Sequence, residues 1–520
     1  MERRSFLRHL THSVAVPGFL SAVGLPYQAK AQISKLLQTA NESGKVLVII
    51  YLQGGNDGLN TVIPLDQLSA LNNLRPHVIL PENKIYKLNN TEVGLHPSLT
   101  NFASLFAEGR LRIVQDVGYP EQNFSHFRST DIWMSGSDAD QVVNSGWTGR
   151  YLSREFPEYP IGFPNETAPH PLAVELGNGS SLMFQGPAAS MSMVINNPDD
   201  FYRLVANQQA PAPNTLAGER LKYVRLIAEQ SQKYGKVVTE VARKVNDQRE
   251  YPQTRLAQQL KIVSRLIAGG LQTPLYMVSL GGFDTHDAQV ENYDHTKGEH
   301  ADLLKTLDEA VMAFMRDLRK QKTDDKVVGM TFSEFGRRVV SNASLGTDHG
   351  SAAPMFFFGN NVIGGIEGQN PTIDRDMTYQ DNLPMQHDFR QVYGSILNQW
   401  FGKENNELNE ILLNDFDSIP IVDANKVTSI GKPKNPKNNV FEVYPNPLQS
   451  FSKISYVSDG NPVNISLVDL QGRVVQEIFS GKQIQGKQEI SFDTQRIPTG
   501  HYFIRIQTES FSVAKAVLKN

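Results

Sequence analysis

The sequence contains no cysteine. Disulfides, thiolate nucleophiles and thiolate metal sites are therefore excluded together, and any metal must be held by His, Asp, Glu or hydroxyl oxygen. The absence also suits a chain that passes through an oxidising compartment. No run of about 18 consecutive apolar residues occurs, so no segment reads as a membrane-spanning helix. The stretch KVLVIIYL at 45–52 is too short to span and reads as a buried strand. A basic excess is missing as well. The formal net charge is −4, and no basic run interleaved with aromatics appears, which argues against a nucleic-acid partner.

What is present is ordinary for a soluble globular chain: 520 residues, 40% hydrophobic and 20% charged, enough for about two to four domains. The N-terminus opens with Arg3-Arg4 followed by Ser5, Phe6 and Leu7. A mildly apolar segment, 13–25, comes next, and Ala29-Lys30-Ala31 fits an A-x-A cleavage site. This arrangement resembles a twin-arginine export signal spanning 1–31, and it implies the twin-arginine translocase as a partner.

Residues 424–440 are rich in Lys, Asn, Pro and Gly without periodicity and read as a linker. Beyond them the pattern changes to short alternating strands. Val463, Ile465 and Leu467 alternate with polar residues, as do Tyr502, Ile504 and Ile506, with Gly and Pro turns between. Such period-two runs predict a small all-β sandwich over 441–520. Three ordered motifs lie within it: Val443-Tyr444-Pro445-Asn446-Pro447, Val468-Asp469-Leu470-Gln471-Gly472-Arg473 and Ile497-Pro498-Thr499-Gly500-His501-Tyr502-Phe503. Together they resemble the type IX secretion C-terminal sorting domain of Bacteroidetes. The resemblance implies the type IX machinery as a partner and a final location at the cell surface or outside the cell.

Between leader and linker, residues 32–423 alternate strand-like and helical stretches. Candidate strands are Lys45–Leu52, Arg112–Val117, Leu275–Leu280, Lys326–Phe332 and Met355–Phe358; helical spacing appears at Leu221, Val224 and Ile227 and at Leu260, Val263 and Ile267. The alternation predicts an α/β fold, a mostly parallel sheet with helices on both faces and a helical insertion at 214–268.

Polar clusters follow several of these strands, where open α/β sheets place their sites. Asp57 closes Gly54-Gly55-Asn56-Asp57, Asp284 and His286 lie in Gly281–His286, Glu334 follows Ser333, and His349 sits in Thr347-Asp348-His349-Gly350. A carboxylate-and-imidazole set of this kind suits zinc, manganese or magnesium. Each residue has a simpler reading too: Asp57 as a turn residue, Asp284 as a helix cap, Glu334 as the partner of Arg337 or Arg338.

The ordered strings Val48–Gly58, Gly94-Leu95-His96-Pro97, Ser125-His126-Phe127, Gly146–Arg150, Gly281–His286, Ser333–Arg338 and Gly346–Gly350 resemble the exported bacterial family called domain of unknown function 1501. That family is similar to the alkaline phosphatase and sulfatase superfamily, whose enzymes hold one or two metals beside a nucleophile. The resemblance implies Ser125 as the nucleophile at a helix N-terminus, an alternative to its reading as a helix N-cap. It implies Asp57, Asp284, His286, Glu334 and His349 as metal ligands. Glu334 stands where the superfamily has Asp followed by His; here Phe335 takes the place of that His, and the Asp284-to-His286 spacing is short. The expected function is metal-dependent hydrolysis of phosphate or sulfate esters, with Arg128, Arg150 and Arg337 as anion clamps. Two other classes stay open: a catalytically inactive surface binding or assembly protein, and a glycan-binding factor that takes polysaccharide without cleaving it.

Overall fold

The computed structural model describes residues 44–196, 216–245, 250–423 and 441–519, apart from short gaps at 167, 178, 188, 446, 459, 469–473 and 509–511. The leader with its Ala29-Lys30-Ala31 site and the 424–440 linker lie outside the described residues, as does part of the 214–268 segment. The described chain forms two compact units, one before and one after the linker.

The larger unit is built on a nine-stranded sheet. In chain order its strands are β1 (Val46–Gln53), β2 (Leu111–Gly118), β3 (Ala173–Leu176), β4 (Ser192–Ile195), β5 (Leu275–Gly281), β6 (Val327–Phe332), β7 (Ala353–Phe358), β8 (Gly365–Glu367) and β9 (His387–Asp388). Across the sheet the order is β8-β2-β7-β6-β1-β5-β3-β4, with β9 also beside β2. β1 pairs in parallel with both β5 and β6, and only β7 runs antiparallel to its neighbours.

The sequence of β1, VLVIIYLQ, explains its central place. Seven of its eight residues are buried. Val46, Val48, Ile50 and Leu52 enter one core and Leu47, Ile49 and Tyr51 the other, the period-two alternation of a strand covered on both faces. Helices α1 (Arg255–Ala268) and α2 (Glu299–Lys320) cover the first face through Leu260, Val263, Leu307, Val311 and Phe314. Helix α3 (Phe389–Gln399) covers the second through Val392, Tyr393 and Ile396, beside Trp133. The segment 214–268 thus contributes α1 to the main core. In its other helix, Leu216–Arg243, Val224 is 62% exposed, so the apolar spacing at that position does not mark the packed face. That face is carried instead by Tyr234, Val238 and Val241.

The smaller unit is a sandwich of two antiparallel sheets. One contains Glu442–Tyr444, Phe451–Ser458 and Gly486–Asp493; the other contains Pro462–Val468, Val474–Lys482, Gly500–Thr508 and Ser512–Lys519. Ile454, Tyr456, Ile465, Leu467, Ile504 and Ile506 fill its core, the positions that alternation selects. The Tyr502 hydroxyl donates to the Pro498 carbonyl at 2.9 Å, which ties the Pro-Thr-Gly turn to the strand it precedes.

Candidate metal centre

Parallel strands bring their carboxyl ends to one edge, so β1, β5 and β6 deliver the loops after Gln53, Gly281 and Phe332 to the same place. The antiparallel β7 starts where β2 ends, Ala353 opposite Val117, so His349 just ahead of β7 and the segment after β2 reach that edge too. Two glycines let the loops close on one another. Gly54 and Gly55 both have positive φ (122° and 85°), and a Cβ on them would lie 2.4 Å from the Asp284 nitrogen and from the Phe335 ring respectively.

Arg337 fixes the arrangement. Its buried guanidinium donates to Gly55 O (2.7 Å), Thr347 O (2.9 Å), Phe283 O (2.8 Å) and Asp284 Oδ1 (2.8 Å), and also to Gly54 O. It stitches three loops together and leaves no open face as an anion clamp. The other two arginines expected in that role are likewise spent on carbonyls: Arg128 on Asp138, Ala139 and Gln141, and Arg150 on Ile411, Ser145 and Ser135.

Around Asp284 three imidazoles converge. His126 opens the helix His126–Ser135; His286 and His349 come from the loops after β5 and before β7. Asp284 Oδ1 lies 3.1 Å from His286 Nε2 and 3.1 Å from His349 Nε2, and its Oδ2 lies 3.3 Å from His126 Nε2. The two nitrogens of His286 and His349 are 2.9 Å apart.

The tautomers follow from what holds the other ring nitrogens. His126 Nδ1 faces Glu334 Oε1 at 2.9 Å, His286 Nδ1 faces Asp348 Oδ1 at 2.7 Å, and His349 Nδ1 faces the Phe124 carbonyl at 2.7 Å. All three partners are acceptors at these atoms, so each Nδ1 carries the hydrogen. In the neutral rings each Nε2 then presents a lone pair toward Asp284. The Nε2 of His126 is buried and has no hydrogen-bond partner. Three lone pairs and a carboxylate facing one another repel unless a proton or a cation sits among them. Ligand bonds of about 2 Å at tetrahedral angles separate ligand atoms by about 3.3 Å, close to the spacings here. His126, Asp284 and His349 form a group able to hold a metal ion, and His286 Nε2 lies beside two of them, Asp284 and His349.

Charge at the site follows the same contacts. Burial pushes the Asp284 carboxyl up, but Arg337, by hydrogen bond and charge, outweighs it, and its pKa falls to about 2. The Glu334 hydrogen bond, against burial, raises the pKa of His126. Burial lowers that of His349.

The structure thus brings Asp284, His286 and His349 together, and it places the remaining expected residues elsewhere. Glu334 is buried behind His126 and accepts from the Gly54 N–H at 2.9 Å, so it orients the His126 ring. Asp57 is fully buried and ion-paired to Arg75, and it accepts from Gln289 Nε2 at 2.6 Å. Ser125 occupies the N-cap position, exposed, with no capping hydrogen bond from its side chain. It lies between Phe124, whose carbonyl holds His349, and His126. Sequence reasoning missed His126, although it stands inside the Ser125-His126-Phe127 string, and missed the orienting roles of Asp348 and the Phe124 carbonyl.

Residues 91–412 match the family model described as "Protein of unknown function (DUF1501)", and residues 442–520 match the secretion system C-terminal sorting domain. No curated protein matches the chain in sequence. Among solved structures it is similar to a sulfatase from Pseudoalteromonas sp., with 11% identity over 90% of this chain and 88% of that one, at a TM-score of 0.32. A protein of the alkaline phosphatase superfamily from Vibrio parahaemolyticus shares 9% identity, with 92% and 90% coverage and a TM-score of 0.32. A phosphonate monoester hydrolase from Silicibacter pomeroyi shares 9% identity, with 91% and 88% coverage and a TM-score of 0.31.

Proposed function

From the premise that the chain belongs to the DUF1501 family and carries a secretion sorting domain, we propose that it is an exported, metal-dependent hydrolase of phosphate or sulfate esters. The sorting domain directs it to the cell surface or the extracellular space, and no helix among the described residues is long and apolar enough to cross a membrane. Entry into the export route through the twin-arginine translocase belongs to the same proposal.

One observation carries the reading: three Nε2 lone pairs and the Asp284 carboxylate converge, each imidazole held from behind by an acceptor. His126, Asp284, His286 and His349 would hold the ion, and nitrogen-rich donors of this kind suit zinc ahead of manganese or magnesium. A divalent cation bound there supplies Lewis acidity to the ester and to the attacking oxygen. Glu334 and Asp348 keep the His126 and His286 rings aimed and raise their basicity as ligands. Phe335, buried with its ring centroid 4.5 Å from that of His349 and 4.9 Å from that of His126, closes the inner side of the cluster to water. Asp284, His286 and His126 stay partly exposed, which leaves the outer side open to an ester. Ser125, with its hydroxyl free of a capping bond at the start of a helix, is the nucleophile this reading favours, and water is the alternative.

The test is hydrolysis of 4-nitrophenyl phosphate and 4-nitrophenyl sulfate by the purified chain, before and after chelation and after adding back zinc, manganese or magnesium. Turnover that chelation removes and one of these ions restores supports the reading. A chain that binds an ion and turns over neither ester is instead a binding or assembly protein.

A further inference from the structure

We propose that Arg338 receives the anionic group of the ester at this centre, an inference that rests on the metal-dependent hydrolase reading above. Of the three arginines expected from sequence to bind an anion, Arg337 and Arg150 are spent on buried acceptors, and Arg128 is turned by its Nη2 to the carbonyls of Asp138, Ala139 and Gln141. Arg338, the next residue after Arg337, is placed differently. Its main chain is clamped on both sides: its N–H donates to Asp348 O at 3.0 Å, and its carbonyl accepts from Arg75 Nη1 at 2.9 Å. Its side chain lies half-buried between two aromatic rings, with the guanidinium carbon 5.2 Å from the Tyr379 centroid and 5.7 Å from that of Phe124. Nη1 donates to the Tyr379 carbonyl, while Nε and Nη2 have no partner among the described residues.

Both flanking residues belong to the shell of the centre. The Phe124 carbonyl holds His349 Nδ1, and the Tyr379 hydroxyl donates to Asp348 Oδ2, whose other oxygen holds His286. A cation therefore lies within cation–π distance of two rings whose residues are tied to two of the imidazoles. The neighbouring carboxylates make no hydrogen bond to it, although Asp381 feels its charge. Asp348 is taken by His286 and Tyr379, and Asp381 accepts from Thr378 at its backbone N–H (2.6 Å) and its hydroxyl (2.8 Å). An arginine held by one carbonyl and two neighbouring rings, with one edge of its fork unpaired, matches two oxygens of a phosphate or sulfate group. The substrate class that follows is a monoester whose anionic oxygens reach both the ion and this fork.

The experiment measures inorganic phosphate and sulfate binding by calorimetry on the metal-loaded full chain, for wild type, Arg338→Gln and Arg338→Lys. Metal content and urea unfolding are measured on the same samples. Arg338→Gln is expected to weaken anion binding by roughly tenfold or more, the loss typical of a charge-assisted pair. It is also expected to keep the metal content, while Arg338→Lys recovers only part of the affinity. Unchanged anion affinity in a folded, metal-loaded Arg338→Gln overturns this proposal alone. A wild-type chain that binds no ion overturns the reading beneath it; anion affinity that is still lost in Arg338→Gln would then keep Arg338 and drop the metal. If Arg338→Gln fails to fold, equal anion affinity in wild type and Arg338→Lys overturns the proposal.

Discussion

Asp57 and Asp284 both follow parallel strands of the same sheet, and the two carboxylates are held in opposite ways. Asp57 is fully buried, and Arg75, equally buried, supplies its countercharge. Gln289 links it onward to Thr285 and Thr347, so the group forms a buried polar network inside the protein. Asp284 is about half exposed, receives one N–H from Arg337, and faces three imidazole nitrogens that offer no hydrogen. Both carboxylates face an arginine, but Arg75 and Asp57 are shut away together, whereas Arg337 is shared between Asp284 and four backbone carbonyls, and Asp284 also faces the imidazoles. What separates the two strand-end carboxylates is exposure and the imidazoles beside Asp284.

The largest effect should come from breaking the buried network. Arg75→Met strands Asp57 as an unpaired buried charge, and removing one member of such a pair costs about 3–5 kcal/mol. Urea unfolding should show that loss, while Asp284→Asn, at an exposed carboxylate, should change stability far less. Equal losses in the two variants would erase the distinction.

The next effect is a pH dependence beside the Asp57–Arg75 pair. His300 donates from Nε2 to Asn56 Oδ1 at 3.0 Å. Burial, outweighing Asp57 and aided by Arg75 and Arg337, drops its pKa to about 4. The unfolded chain takes up this proton near pH 6.5 and the folded one refuses it until about pH 4. Stability from this group is therefore complete above about pH 6.5 and declines as pH falls toward 4, by about 3 kcal/mol in all. His300→Gln should flatten that part of the profile relative to wild type. Asp116, raised to about 7 by burial, acts with the opposite sign but cancels in the difference. Identical slopes for the two proteins would refute the assignment.

Smaller again is the effect of the residues behind the open cluster. Glu334→Gln should lower metal affinity about 10–100-fold without abolishing it, as expected for a group that orients a ligand. Complete loss would make Glu334 a ligand itself. The smallest effect concerns Ser125. Because its side chain makes no capping bond, Ser125→Ala should fall well short of the roughly 1 kcal/mol typical of a lost cap. A full cap penalty in thermal unfolding would mean that the hydroxyl serves the helix.

Much of the fold was legible because its signals are local. The run VLVIIYL is apolar on both faces, as only a central strand can be, and Ile465 and Leu467 alternate as sandwich residues do. The antiparallel direction of β7 was not legible, since the sequence of a strand does not encode which way its neighbours run. At the site, Asp284, His286 and His349 could be read because each follows or precedes an apolar strand. His126 could not: at the head of a helix it looks like any surface polar residue, and only the pairing of β2 with β7 brings it to the edge. The partner of Asp57 was equally hidden, because Arg75 lies 18 residues further along the chain with no motif between them.

The most direct test of the central claim is a zinc titration of the metal-free full chain by calorimetry, with bound metal counted by mass spectrometry, for wild type and for the pair His126→Ala, His349→Ala. One ion per chain is expected in wild type, and loss greater than the roughly 10–100-fold of an orienting residue is expected in the double variant, with the Asp57–Arg75 network and the fold preserved. A wild-type chain that takes up no ion, or a folded double variant that binds zinc as wild type does, would contradict the account.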